Sequence, residues 1–421
     1  MLAWWRARLS EPRDAASLHA FRSLFGLVMA AGMVRLLAKG WVRDLYVAPA
    51  FHFPYTGLAW VRPWPGVGMY VHVAALAVAA LGLALGVRAR LCAAVFLVGF
   101  VYLELLDRAL YLNHYYLATV LVGMLALLAP AAGRATVPAW VLYAFRAQVG
   151  LVYFYAGIAK LNADWLLRAQ PLRAWLAASA DLPLIGAWLE TPAAAFAASW
   201  AGAAFDLAIV PCLLWRRTRV PAFVALLGFH GATAALFNIG MFPFIMTVGA
   251  TLFFAPEWPR GFLRFAAAVE ASPRQPPWVV PALVAVHLLV QAALPLRGHF
   301  VLGPGPSAWT GRGFDFAWNV MVAERSGAVT FRALDLATGR EAEVRPSATL
   351  TPLQEAAMSQ DPSLIAAFAR RLAGDLTRAG WRDVAVFADA QLALNGRPSQ
   401  RLLDPRVDLA RLPPVVEPLG E

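Results

Sequence analysis

Charged residues are scarce in this chain of 421 residues: they make up 14% of the total, while hydrophobic residues make up 60%. Soluble domains carry about 25% charged residues and about 45–50% apolar residues. The apolar residues lie in runs of roughly 18–20, the length of a helix that crosses about 30 Å of hydrocarbon. The shortage of charge therefore excludes a soluble fold for most of the chain and predicts an α-helical polytopic membrane protein.

Cysteine is equally scarce, and both cysteines, Cys92 and Cys212, lie inside apolar runs. In that setting a cysteine is typical of a small buried hydrophobic residue. The sequence has no CxxC pair and no Cys/His cluster with the spacing of metal ligands. We therefore expect neither a disulfide framework nor a metal site.

A continuous basic face is also missing, although the net charge is +11. The arginines occur in short stretches between apolar runs, which is typical of membrane topology and not of nucleic-acid binding. Residues 1–16 contain three arginines and no apolar core. The first apolar run is therefore expected to remain as a membrane helix and not to be cleaved as a signal peptide.

The apolar runs predict about nine transmembrane helices, near residues 17–38, 67–87, 91–107, 112–131, 139–161, 195–215, 220–237, 239–256 and 278–297. Basic residues are enriched in the cytoplasmic loops of membrane proteins. A cytoplasmic N-terminus places twelve of them on that side: Arg6, Arg8, Arg13, Arg88, Arg90, Arg134, Arg216, Arg217, Arg219, Arg260, Arg264 and Arg274. It leaves six outside: Lys39, Arg43, Arg62, Arg108, Arg168 and Arg173. We therefore expect a cytoplasmic N-terminus and an extracytoplasmic C-terminal region.

The composition changes after residue 297. In residues 327–345 the side chains alternate in character on either side of the turn signal Thr338-Gly339-Arg340, as in two short strands. In residues 361–379 the apolar side chains have helical spacing. Residues 384–393 are typical of a strand, and the hairpin turn Asn395-Gly396 follows. These patterns predict a small extracytoplasmic α+β domain at residues 299–421, after a transmembrane helical domain at residues 1–298.

Ionisable residues within membrane spans are costly and are candidates for a functional site. Lys160 ends an otherwise apolar run, and its amine either extends to the membrane surface or lies in a polar pocket with Asn162 and Asp164. His114, beside Asn113, is either an interfacial residue or a functional one. For His230, within a span, a hydrogen bond between helices is favoured.

The nine-span topology places His114, Lys160 and Asn238 at the outer ends of their spans, toward the C-terminal domain. We therefore expect a site shared by the membrane and outer domains. Such a site suits an amphiphilic cosubstrate that arrives from the lipid and a second substrate that arrives from water.

Several segments carry a resemblance to a known family. They are Ala156-Gly157-Ile158-Ala159-Lys160-Leu161-Asn162-Ala163-Asp164-Trp165, Asn113-His114-Tyr115-Tyr116-Leu117, Leu236-Phe237-Asn238-Ile239-Gly240-Met241-Phe242, Pro256-Glu257-Trp258-Pro259-Arg260, Trp309-Thr310-Gly311, Trp318-Asn319-Val320-Met321-Val322 and Asp404-Pro405-Arg406-Val407-Asp408. They resemble the signatures of the vitamin K-dependent gamma-carboxylase family, in family order. The resemblance spans residues from about 100 to 409.

The resemblance implies an enzyme, a peptidyl-glutamate 4-carboxylase of the carbon–carbon lyase class. In the family, a reduced vitamin K hydroquinone is deprotonated and reacts with O2, and the oxygenated base removes a γ-proton from a peptidyl glutamate. The carbanion adds to CO2, giving γ-carboxyglutamate and the quinone epoxide, without a metal. A quinone reductase is expected to regenerate the quinol.

The resemblance assigns the catalytic base to Lys160 and the catalytic histidine to His114. A lysine must be neutral to act as a base, and a site of low dielectric constant favours the neutral amine. Further candidates for the quinone or substrate pocket are Asn113, Asn162, Asp164, Trp165, His230, Asn238, Trp318 and Arg406.

The chain also departs from the animal enzymes of the family. Ala159 stands where they have a second lysine, Asn162 where they have an aspartate, Ala323 where they have a histidine, and Phe331 where they have a tyrosine in the glutamate-binding region. Soon after Asp408 the sequence ends, whereas the animal enzymes continue through a large further region. Two alternatives therefore stay open: a quinol-epoxidising membrane oxidoreductase without peptide carboxylation, and a non-catalytic protein that binds or transports quinone or lipid.

Overall fold

The computed structural model describes residues 2–131, 134–262, 277–297, 309, 311 and 313–411. The predicted domain boundary at residues 298 and 299 lies outside these residues, as do Arg264 and Arg274 of the predicted cytoplasmic set. Thr310, within one of the resembling segments, also lies outside them.

The first part of the chain is helical. Its elements are α1 (Leu2–Ser10), β1 (Pro12–Asp14), α2 (Ala16–Ala38), α3 (Val67–Leu85), α4 (Ala89–Leu106), α5 (Asn113–Leu128), β2 (Thr136–Pro138), α6 (Ala139–Ala159), α7 (Ala163–Arg168), α8 (Leu172–Ala177), α9 (Gly186–Leu189), α10 (Pro192–Leu214), α11 (Arg219–Leu236), α12 (Phe242–Ala250) and α13 (Val279–Ala293). A 3-10 turn extends α12 to Phe253, and another extends α13 to Leu296.

Within the described ranges, seven helices are long and apolar enough to cross a membrane: α2, α3, α4, α6, α10, α11 and α13 with its 3-10 turn. The other two predicted spans are also apolar helices but are shorter, at Asn113–Leu128 and Phe242–Phe253. The predicted class, a multi-pass helical membrane protein, is therefore confirmed. The count of nine crossings stays a prediction.

Contacts that are remote in sequence hold one end of the bundle together. Strands β1 and β2 pair antiparallel, with Arg13 opposite Val137. Arg260, after α12, binds Asp14 of β1 through an ion pair of 2.6 Å. The N-terminal segment, the segment after α5 and the segment after α12 therefore lie side by side.

The C-terminal part contains a four-stranded sheet. Its elements are β3 (Arg325–Asp335), β4 (Glu341–Val344), α14 (Pro352–Met358), α15 (Pro362–Arg378), β5 (Val384–Leu394) and β6 (Gln400–Arg401). The strand order is β4-β3-β5-β6, and all pairs are antiparallel. Helix α15 packs its apolar face, including Ile365 and Phe368, on the sheet. The predicted small α+β region is confirmed, and the turn at Asn395 and Gly396 has the left-handed backbone that such a hairpin needs.

The sheet region contacts the connections between the membrane helices. Asp107, just after α4, accepts a hydrogen bond of 2.7 Å from Gln354 of α14. The next residue, Arg108, forms an ion pair of 2.6 Å with Asp361. Phe53, from the connection between α2 and α3, is buried in the core of the C-terminal sheet region. The sheet region therefore packs against the connections that follow α2 and α4.

Candidate functional site

Lys160 directly follows α6, and its side chain is 7% exposed. Its Nζ atom lies 2.8 Å from Oδ2 of Asp206, an equally buried residue of α10. The amine also donates hydrogen bonds to the carbonyl oxygens of Ala156, at 3.1 Å, and of Val320, at 3.3 Å. Lys160 therefore points into the protein and not to the membrane surface, although its partners are not the predicted Asn162 and Asp164.

Lys160 and Asp206 line a cavity of about 220 Å³ between the helices. Its other walls are mostly apolar, and the further polar side chains in the lining include Tyr153 and His230. The indole ring of Trp165 forms part of the wall, with its centroid 5.2 Å from the lysine Nζ. The arrangement is an apolar compartment with one buried ion pair at its edge, which we call the lysine cavity.

His230 of α11 bridges two helices at this cavity. Its Nε2 atom lies 2.8 Å from the hydroxyl of Tyr153 in α6, which is the hydrogen bond between helices that the sequence favoured. Its Nδ1 atom is buried and has no hydrogen-bond partner among the described residues. A buried polar atom without a partner costs free energy, and His230 is one of the residues that line the cavity.

His114 lies in a second, larger cavity of about 600 Å³, which we call the histidine cavity. Asn113 and Asn238 line it as well. The backbone of Gly240 approaches the imidazole so closely that a Cβ atom there would lie 3.0 Å from Nε2, and Gly240 has φ +62. Both the close approach and the left-handed backbone require a glycine at this position.

The segment 316–321 separates the two cavities and comes from the C-terminal part of the chain. Val320 and Met321 line both cavities. The carbonyl of Val320 accepts from Lys160, and that of Asn319 accepts from Asn113 at 3.4 Å. Trp318 is fully buried among the membrane helices and stacks on Tyr116 with ring centroids 5.1 Å apart. The two predicted catalytic residues therefore line adjacent cavities that share one wall.

The backbone of this segment is unusual. Phe316, Trp318 and Met321 all have positive φ, at 58, 56 and 52 degrees. Non-glycine residues in this conformation cost about 1–3 kcal/mol each and cluster at functional sites. The indole nitrogen of Trp318 is buried without a partner in the described part of the chain.

Two sequence families match the chain. The HTTM domain matches residues 10–258, more than half of the chain, and the domain described as "Vitamin K-dependent gamma-carboxylase, lumenal domain" matches residues 277–415. The chain belongs to the vitamin K-dependent gamma-carboxylase family. No solved structure matches it.

In this carboxylase family member, the predicted polar pocket of Asn162 and Asp164 around the lysine amine needs correction. Asn162 is exposed and caps α7, where its side chain accepts from the backbone N–H of Trp165 at 3.0 Å. Asp164 faces the C-terminal sheet region, where Arg397 donates to it at 2.7 Å and Asn395 at 2.9 Å. Both side chains lie after the end of α6, so they turn outward while the lysine turns inward.

Arg406 is likewise placed apart from the cavities. It is exposed in a turn, where its backbone N–H donates to Asp404, and it lines neither cavity. Trp165 and His230 line the lysine cavity, and Asn113 and Asn238 line the histidine cavity. Trp318 packs beside the shared wall.

The sequence reasoning missed two charged residues, Asp206 and Arg35. Asp206 is the only ionisable residue of α10, an otherwise apolar helix, so the rule that intramembrane charges are functional candidates identifies it. Arg35 lies in the last turn of α2 and lines the histidine cavity. The pairing of Asp206 with Lys160 could not be read from the sequence because the two residues come from distant segments.

Two departures from the animal enzymes also have a place in the fold. Phe331 is fully buried in the core of the sheet region, with its ring 5.0 Å from that of Phe368. Ala323 follows the shared wall in the stretch that leads into β3. A phenol at position 331 would need a hydrogen-bond partner that the apolar phenylalanine does not.

Proposed function

We propose that this chain is a vitamin K hydroquinone-dependent gamma-glutamyl carboxylase that couples formation of the quinone epoxide to carboxylation of a peptidyl glutamate by CO2. One observation carries the proposal: a buried lysine–aspartate pair lies at the edge of an apolar cavity beside a second cavity that holds a histidine. The family membership and the lumenal domain are consistent with it.

The lysine cavity fits the aromatic head of a quinol. Its mostly apolar walls suit a flat ring system, while Lys160 and the unpartnered Nδ1 of His230 offer polar contacts to ring oxygens. When bound, vitamin K hydroquinone supplies with O2 a base far stronger than any side chain, as removal of a glutamate γ-proton requires. The residues of the chain bind the ring, orient it and accept its hydroxyl proton.

We assign acceptance of that proton to Nζ of Lys160. The amine must be neutral to accept it, so the Lys160–Asp206 pair has to release one proton before each turnover. When the proton moves to Nζ, the ammonium ion forms beside the carboxylate of Asp206, which stabilises it.

The closed walls support the same chemistry. Trp165 is buried beside the amine, and Val320 and Met321 line both cavities. Excluding water protects a strong base and a carbanion from quenching. A glutamate side chain that enters the histidine cavity would lie next to His114 and would meet the quinol at the boundary that the two cavities share.

Phe331 and Ala323 favour one alternative, a quinol-epoxidising oxidoreductase that carboxylates no peptide. In that case the lysine cavity would serve the same quinol chemistry, and the outer region would lack a glutamate site. A third possibility, a non-catalytic protein that binds quinone or lipid, would use the cavity without the proton transfer. If the protein is a carboxylase or a quinol-epoxidising oxidoreductase, a quinone reductase would have to regenerate the quinol.

The three possibilities differ in their products. Purified protein is incubated with reduced vitamin K, labelled bicarbonate and a glutamate-rich peptide, with a peptide carrying glutamine in place of glutamate as the control. We expect label in the glutamate peptide together with epoxide. Epoxide without labelled peptide would establish the oxidoreductase instead, and the absence of both from folded protein would contradict any catalytic role.

A further inference from the structure

Arg35 is a cation that lines the histidine cavity near the outer end of α2. Its guanidinium group stacks over the ring of Trp41, with 4.9 Å between Cζ and the ring centroid. No carboxylate forms an ion pair with it among the residues that the structure describes. The other interior cation at the site, Lys160, does have such a partner in Asp206.

The cavity around Arg35 differs in character from the lysine cavity. It is larger, at about 600 against 220 Å³, and it carries the amides of Asn113 and Asn238 beside His114. Leu353, from the C-terminal region, lines it too, so the cavity reaches the junction with the outer region. A polar side chain that arrives from the outer side can therefore enter it, whereas the lysine cavity is enclosed mainly by apolar helices.

A half-buried guanidinium without a counter-ion is satisfied best by an anion. Its planar array of donors matches the two oxygens of a carboxylate and forms paired hydrogen bonds that a point charge cannot. The stacked indole of Trp41 holds the plane of the guanidinium. Each of these features indicates a carboxylate ligand within the cavity.

We infer that Arg35 binds the carboxylate of the acceptor side chain in the histidine cavity, and so selects a glutamate over its uncharged amide. This inference rests on the proposed function. It assigns the two substrates to two compartments: the quinol to the lysine cavity and the acceptor carboxylate to the histidine cavity. Ile239, Phe242, Val320 and Met321 line both cavities, so the two substrates would meet at this shared boundary.

Direct binding tests the inference in the full chain. The affinity of detergent-solubilised protein for a fluorescent glutamate-rich peptide is compared with that for the matching glutamine peptide. We expect wild-type protein to prefer the glutamate peptide, and Arg35→Gln to lose about 10- to 100-fold in affinity for it, the range expected for a charge-assisted hydrogen bond. Arg35→Lys should retain part of the affinity because it keeps the charge without the planar fork.

Arg43→Gln is the matched control, because Arg43 is exposed and follows the same helix a few residues later. It should bind the glutamate peptide as wild type does. If Arg35→Gln binds the glutamate peptide as tightly as wild type does, the inference is overturned. If Arg35→Gln is less thermally stable than wild type only when lipid is present, Arg35 binds lipid phosphate instead. Failure of the proposed function gives a different result: wild-type protein then fixes no labelled bicarbonate in the peptide and binds the glutamate and glutamine peptides equally.

Discussion

The buried pair of Lys160 and Asp206 is more informative about function than about stability. Removing two charges from water costs more than their attraction commonly returns, and replacing such a pair by apolar residues is often neutral or stabilising. A lysine and an aspartate that face each other at a cavity therefore lower the stability of the fold relative to apolar residues. The proposed acceptance of a proton from a bound quinol gives a reason for keeping them.

The pair predicts different results for substitutions of its two members. Lys160→Arg should fold, because a guanidinium can still pair with Asp206. It should lose carboxylation and epoxide formation by about 100-fold or more, since a guanidinium does not release its proton in proteins and the gain from a positioned base is of that order. Product analysis of folded Lys160→Arg measures this loss, and wild-type epoxidation in that variant would remove Lys160 from the role of base.

The variant Asp206→Asn tests the other member of the pair. It leaves the ammonium buried without its counter-ion, which should destabilise the protein by about 3–5 kcal/mol. The double variant Lys160→Met with Asp206→Leu should recover the stability but not the activity. Thermal unfolding in detergent measures the stability of each variant, and a stable Asp206→Asn would show that the ion pair does not form.

The sequence identifies individual residues of the site but not their neighbours. Lys160 and His114 could be found because each is an ionisable side chain beside an apolar run. Their surroundings could not, because Asp206 and Arg35 reach the two cavities from helices distant in the chain. Asn162 and Asp164 illustrate the opposite error: they are adjacent to Lys160 in sequence, yet a change of direction after α6 turns them toward the outer region.

At the scale of elements, the apolar runs and the alternating pattern predicted most of the architecture. The predicted helix at residues 361–379 is observed as Pro362–Arg378, and the predicted strand at 384–393 as Val384–Leu394. The insertion of segment 316–321 among the membrane helices could not be predicted. Its left-handed residues are Phe316, Trp318 and Met321, none of them a glycine, so the sequence carries no local signal for that backbone.

The contact between α7 and the turn after β5 predicts a dependence of stability on pH. Hydrogen bonds from Arg397 hold the pKa of Asp164 well below its usual range. A lowered pKa in the folded state stabilises the protein above the unfolded value, about 3.9, and this contribution is lost as the pH falls through the folded value. Asp164→Asn should therefore be less stable than wild type near pH 6.

The difference between the two proteins should begin to shrink below about pH 4, where Asp164 of the unfolded state becomes protonated, and should vanish only as the pH falls through the lower pKa of the folded state. Melting temperatures in detergent at several pH values measure it. Arg397→Ala is the matched variant and should reduce the pH dependence toward that of Asp164→Asn, while Arg168 and Asn395 still bind the carboxylate. A constant difference between wild type and Asp164→Asn at all pH values would show that the ion pair does not contribute.

At the scale of the whole molecule, tertiary contacts sort the connections of the helices into two sets. One set holds β1, β2 and Arg260 together. The other set, Asp107, Arg108 and Asn113, contacts the C-terminal sheet region or the segment before it. The two sets correspond to the two sides that the basic residues predicted, with the sheet region on the side poorer in arginine.

These sets bear on whether the short helices cross the membrane. Helices α2, α3, α4 and α5 lie between β1 and β2 in the chain, and the paired strands have to lie on the same side. An even number of crossings is therefore needed, which requires α5 to cross although it has only 16 residues. The pairing of Arg260 with Asp14 requires an even number in the same way, and α12 supplies the eighth crossing.

We therefore expect nine crossings, with the N-terminus in the cytoplasm and the C-terminal region outside. Nine and seven crossings both place the termini on opposite sides, so a reporter after residue 300 alone cannot distinguish them. Reporters after residues 135 and 217 can, because the nine-crossing topology places both in the cytoplasm, whereas omission of α5 and α12 places both outside. We expect cytoplasmic signals at 135 and 217 and an extracytoplasmic signal at 300. An extracytoplasmic signal at 135 would mean that α5 does not cross, and β1 and β2 could then not pair across the membrane.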